Sequence, residues 1–153
     1  MKKAVLFTAL IVLVAVSGTE AVAFPVEGTV LVGDQLSAQS AWVAEALPGQ
    51  SMTAAYMTIS NEGDIDEELV SVESEVAENL ELHEMVQQGD MMRMRRVDSI
   101  VIGPGEDVAL EPGGLHIMLI GLTREVTEGD TVELNLIFES GANLTVSAPV
   151  KKR

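Results

Sequence analysis

Leu115-His116-Ile117-Met118-Leu119-Ile120-Gly121-Leu122 decides how this chain is read. Side chains along a strand leave alternate faces of the sheet. Leu115, Ile117 and Leu119 therefore form one apolar face suited to a core, and His116 and Met118 leave together from the other. Such a strand presents a nitrogen and a sulfur side by side without disturbing packing. Glu111-Pro112-Gly113-Gly114 precedes it as a turn.

The same period of two runs outward in both directions. Val132, Leu134, Leu136 and Phe138 alternate, and so do Leu144, Val146 and Ala148 after the Ser140-Gly141 turn. Upstream, Met52–Ile59, Met91–Val97 and Val108–Leu110 read as strands, with a shorter candidate at Thr29–Val32. Leu69 to Val86 is ambiguous. Leu69, Val72, Val76 and Leu80 fall at helical spacing, yet Leu80 and Leu82 alternate with Glu81 and His83, so two strands are expected, Leu69–Glu73 and Leu80–Met85. Gln87-Gln88-Gly89-Asp90 joins the second of these to Met91–Val97 as a hairpin. Strands every 8–12 residues, punctuated by Gly and Pro, describe an all-β antiparallel sandwich or barrel. Phe24–Gln39 reads as a mixed lead-in, Trp42 as an anchor at an edge of the core, and Lys151-Lys152-Arg153 as a frayed basic tail.

The amino-terminal residues 1–23 carry a targeting pattern. Lys2 and Lys3 precede an apolar run from Ala4 to Val16, and Ala21-Val22-Ala23 supplies the small-x-small site of a signal peptidase. The run is shorter than the ~20 residues of a membrane-spanning helix, and no cysteine follows it for lipid attachment. The expected organisation is a signal peptide at 1–23, one β domain at 24–150 and the tail at 151–153, in an exported, periplasmic protein without membrane insertion after cleavage. Without Lys2, Lys3 and Glu20 the chain keeps 7 basic and 23 acidic residues. That balance opposes binding to nucleic acid or anionic membrane and favours solubility. The absence of cysteine rules out disulfides, thiol redox chemistry and thiolate metal sites.

Both histidines, His83 and His116, and five of the eight methionines lie between Leu80 and Leu122. Methionine is a common filler of cores, and a lone histidine is usually a surface or satisfied polar group. The conjunction is different, because each histidine is followed two residues later by a methionine, Met85 and Met118. Thioethers select Cu(I), whereas hard cations prefer oxygen. If the strands are neighbours, His83, Met94, His116 and Met118 converge as a two-nitrogen, two-sulfur set. Arg93, Arg95 and Arg96 surround Met94; exposed cations of this kind pair with nearby acids, and they also offer a docking spot for an acidic partner.

The spacing His83-x10-Met94-x21-His116-x-Met118 resembles the motif of the periplasmic PCu(A)C copper chaperones. The likeness extends to Leu82-His83-Glu84-Met85, Met92-Arg93-Met94-Arg95, Pro112–Leu119, Ala54–Asn61 and Glu128-Gly129-Asp130. It implies a cupredoxin-like Greek-key β-sandwich and a Cu(I) site made by His83, Met94, His116 and Met118, with Met85 as an auxiliary ligand. It also implies a non-enzymatic carrier that delivers copper to a protein acceptor in cytochrome c oxidase copper-centre assembly. Some relatives carry a His/Met-rich tail that this chain, ending Val150-Lys151-Lys152-Arg153, does not show. A blue-copper electron carrier would need a cysteine thiolate. Zinc would have to pass over the methionines for Glu81 or Glu84. Copper buffering without a dedicated acceptor, and an exported structural sandwich, stay open beside the chaperone reading.

Overall fold

The computed structural model describes residues 30–32 and 35–153, so the expected signal peptide and cleavage site lie outside the described residues. The described chain forms eleven strands. They are β1 (Val30–Val32), β2 (Leu36–Ala44), β3 (Met52–Asn61), β4 (Glu67–Glu73), β5 (Ala77–Gln88), β6 (Met91–Arg96), β7 (Ile100–Ile102), β8 (Glu106–Leu110), β9 (Leu115–Leu122), β10 (Thr131–Phe138) and β11 (Asn143–Lys151). No helix of the described residues is long and apolar enough to cross a membrane.

The strands follow the order β6-β5-β9-β3-β2-β11-β10-β4-β7, with β1 added to β2 and β8 to β3. Two layers arise because β11 belongs to both. It pairs antiparallel with β10 from Asn143 to Pro149, then runs parallel to β2 at Val150 and Lys151. That parallel pair is the one departure from the antiparallel arrangement expected. Inward residues from one layer (Ala38, Val43, Met57, Ile59, Ile117, Leu119) meet those of the other (Leu69, Ile102, Leu134, Leu136, Phe138, Leu144) in one continuous core. A core of this size holds the sandwich without disulfides.

Two irregularities explain where the sequence periodicity misled. β2 stands where a mixed lead-in was expected. Ser40 takes φ 54°, and the register to β3 shifts between Gln39 and Trp42. The resulting bulge lets Leu36, Ala38, Ala41 and Val43 all face the core although they do not keep a strict period of two. A second shift, between Ile137 and Phe138 of β10, sets Leu69 opposite Phe138 and Val72 opposite Leu136. Leu69 and Val72 are thus both buried in a strand while spaced as on a helix. β5 runs from Ala77 to Gln88, longer than Leu80–Met85, and β7 answers to no expected strand.

The β5–β6 hairpin turns on Gly89-Asp90, with Gln88 opposite Met91. Gly89 has φ 63°, the left-handed region such a tight connection requires and a β-carbon disfavours. This turn fixes the register that brings β6 alongside the first histidine strand.

Candidate metal centre

Three antiparallel strands, β9, β5 and β6, present the sequence-predicted donors on the face of the sheet turned away from the core. His83 of β5 lies directly opposite His116 of β9, and the ring centroids are 5.8 Å apart. Met118 follows two residues along β9, opposite Glu81. On the other side of β5, Met85 lies opposite Met94 of β6. Leu82, Ile117 and Leu119 point the other way into the core. His83, Met85, Met94, His116 and Met118 therefore share one face, as the alternation required.

The floor of this face is buried and its lip is open. His116 is 4% exposed and Met118 9%, whereas Met94 is 50% exposed. Met118 packs with Ala44, Ala54 and Tyr56, and Trp42 and Ile120 lean on that cluster. Trp42 lies 4.6 Å from Tyr56, and Tyr56 lies 6.4 Å from His116, centroid to centroid. Trp42 thus builds the wall of the site, not an edge of the main core as the sequence suggested. An open groove runs over Met85, Met94, His116 and Met118, past Trp42, Tyr56 and Met52, to Lys152 and Arg153. The carboxy-terminal residues are not simply frayed: β11 includes Lys151, and Lys152 Nζ reaches Glu128 Oε2 at 2.9 Å. Glu128, with Glu45 nearby, raises the Lys152 ammonium above its ordinary range.

Hydrogen bonds fix one nitrogen of each imidazole and leave the other free. A carbonyl oxygen only accepts, so His116 Nδ1–H donates to Gly114 O at 3.0 Å and Nε2 keeps its lone pair. Glu81 Oε2 lies 2.8 Å from His83 Nε2. That hydrogen bond, helped by Arg96 with Nη1 at 3.4 Å from Oε1, holds the Glu81 carboxyl below the usual carboxylate range against partial desolvation. An ionised carboxylate accepts, so His83 Nε2 carries the proton and Nδ1 the lone pair. His83 Nδ1 is buried and has no hydrogen-bond partner. A buried polar atom without a partner is rare in a folded protein and is expected where a metal or water is to bind. The carboxylate–histidine arrangement is the one that orients metal-ligating imidazoles and raises their basicity.

The donor set also discriminates between metals. Among the described residues, no three His, Cys, Asp or Glu side chains come together to hold a metal ion. Glu84 is occupied by Arg95 at 2.7 Å. Beside the two imidazoles this face carries the thioethers of Met85, Met94 and Met118, a donor type that suits a soft ion better than zinc.

The model of the LpqE-like family, described as "Putative lipoprotein LpqE-like", matches residues 36–150. The chain belongs to this family. The LpqE-like chain is 35% identical over 119 residues to "Putative lipoprotein Lxx21020" of Leifsonia xyli subsp. xyli, covering 77% of its own length and 70% of that relative. Its fold is that of PCuAC domains, cupredoxin-like and all-β. It resembles the copper-bound PCuAC domain from PmoF2 with TM-score 0.70 and 25% identity, over 82% of this chain and 98% of that one. It also resembles the Cu(I) form of DR1885 from Deinococcus radiodurans, with TM-score 0.62 and 35% identity over 76% of this chain and 77% of that one. The PCuAC assignment made from the His/Met spacing agrees with all of these.

The sequence did not reveal the side chains that brace the donors. That Glu81 shares a face with His83 was legible, but its hydrogen bond and the Arg96 brace were not. Nor were Trp42 and Tyr56 as neighbours of His116, because β2 and β3 reach the site only through long-range pairing.

Proposed function

We propose that this LpqE-like protein is an exported, periplasmic Cu(I) carrier whose ligands are His83 through Nδ1, His116 through Nε2, and the sulfurs of Met94 and Met118. Met85, opposite Met94, is the auxiliary ligand. The observation that carries the reading is the buried, unpartnered His83 Nδ1 beside a second imidazole with a free Nε2, on a face that also carries the thioethers of Met85, Met94 and Met118. Copper is the cargo in this reading, and residues 24–150 form the domain that carries it. The copper-bound form of the PmoF2 domain and the Cu(I) form of DR1885 lend support.

Four neutral ligands stabilise Cu(I) without adding charge, and they release it by ligand exchange. Unequal burial gives the release a direction. His116 and Met118 hold the ion from the floor, while half-exposed Met94 is the first ligand an incoming thiolate displaces. No residue set for bond-making chemistry is needed, so the protein acts as a carrier and not as an enzyme. The acceptor is a protein in cytochrome c oxidase copper-centre assembly. The test mixes the Cu(I)-loaded protein with an apo binuclear-copper domain of an oxidase and follows copper by gel filtration. Movement of copper to the domain supports the chaperone reading, and full retention supports copper buffering without a dedicated acceptor.

A further inference from the structure

β6 ends the strand order, and β5 is its one strand neighbour among the described residues. All six of its residues, Met91 to Arg96, are exposed. Its free edge can be assigned atom by atom. Val97 N–H donates to Leu82 O at 2.9 Å, so the pair Leu82–Val97 is hydrogen-bonded across the two strands. In an antiparallel ladder, bonded and non-bonded pairs alternate. The pairs His83–Arg96, Met85–Met94 and Gln87–Met92 are therefore the non-bonded ones. The backbone N–H and C=O of Met92, Met94 and Arg96 turn away from β5 toward solvent. Met85 N–H, which donates to Gly114 O of the segment leading into β9, fits the same alternation.

This edge carries Arg93, Arg95 and Arg96 in a chain of formal net charge −15. Arg95 and Arg96 touch Glu84 and Glu81, with their own side chains 64% and 67% exposed. Arg93 makes no ion pair among the described residues. Cationic side chains on an edge repel a second copy of the same strand, but they attract an extended acidic one.

We infer that the β6 edge is a docking site for an extended, acidic segment of a partner protein, which adds to the sheet as a further strand next to Met94. This deepens the carrier reading and rests on it for its purpose: the partner is the copper acceptor. The strand-addition mode draws its affinity from main-chain hydrogen bonds and its specificity from alternate side chains. Here the main-chain partners include Met94 itself. A residue placed opposite Met94 emerges on the donor-bearing face, within reach of an ion held there. Its neighbours on either side meet Arg93 and Arg95 on the opposite face, where glutamate or aspartate complements them.

The test requires no copper, so it stands or falls apart from the ligand assignment. A capped peptide of about ten residues, alternating valine and glutamate, is titrated into the ¹⁵N-labelled apo protein. Amide shifts confined to β6 and the adjoining part of β5 are expected, weakening as salt is added. R93E/R95E should weaken binding about tenfold or more with an unchanged circular dichroism spectrum, and R93Q should weaken it less. Methylating the peptide nitrogens that face β6 should abolish binding. Equal binding of a valine–lysine peptide, shifts mapping to another face, no shifts at millimolar peptide, or a dimer of the protein pairing through β6 would each overturn the inference.

Discussion

Removing the Glu81 carboxylate tests how the site chooses its donor atom. Glu81 Oε2 is 2.8 Å from His83 Nε2 and fixes the tautomer that leaves Nδ1 open. In E81A the ring loses its acceptor and Arg96 its counter-ion, while no proposed ligand is touched. Outer-shell partners of this type alter metal affinity by about 10–100-fold, and that is the loss expected for E81A in competition with a chromophoric Cu(I) chelator. E81Q should fall less, because its amide oxygen still accepts from Nε2–H. The pH dependence has a definite sign. The Glu81 carboxyl is held below its ordinary range, so its contribution to folding is present above the unfolded value and is lost as pH falls through the folded one. Long-range ¹⁵N spectra of the imidazoles supply the second readout: wild type should show the proton on His83 Nε2, and E81A a mixture of tautomers. Unchanged copper affinity in E81A together with an unchanged tautomer would refute the reasoning.

Three further outcomes follow from the geometry. M118L, which keeps the volume packed against Tyr56 and Ala54, should cost less than about 1.5 kcal/mol in urea unfolding yet weaken Cu(I) binding, whereas M118A should lose both binding and about 2–5 kcal/mol. F138A, at a residue 1% exposed in the middle of the core, should cost about 3–5 kcal/mol in the same assay without altering metal selectivity in the folded fraction. E139Q should raise Tm near neutral pH, because the hydrogen bond with Glu68, and then its charge, hold the Glu139 carboxyl above its ordinary range and ionising it opposes folding; the gain should fade as pH falls through that raised value and Glu139 takes up its proton.

The strands that carry the donors were the most legible part of the chain. In β9, Leu115-His116-Ile117-Met118 states its own alternation, and in β5 and β6 the hairpin turn at Gly89-Asp90 sets which residues face each other. Local pattern and tertiary pairing agree there. β2 was hidden because its alternation is reset by the bulge at Ser40, so the inward residues on either side of it fall out of a period of two. The helical spacing of Leu69 and Val72 had the same origin: β4 carries an extra residue, Val70, where Ser71 to Leu69 spans two steps against the single step from Ile137 to Phe138 in β10. β7 is three residues long and carries too little pattern to be seen. The side-chain bonds that choose His83 Nδ1 and His116 Nε2 depend on rotamers and neighbouring strands, so sequence could name the residues but not the atoms.

The most direct measurement is Cu(I) titration of the protein against a chromophoric chelator, with H83A, M94A, H116A and M118A in parallel. One tight equivalent is expected for wild type, weakened in every variant and least in M94A, whose side chain is half in solvent. Failure to compete with the chelator, or tight binding untouched by these substitutions, would contradict the assignment of this face as the copper site.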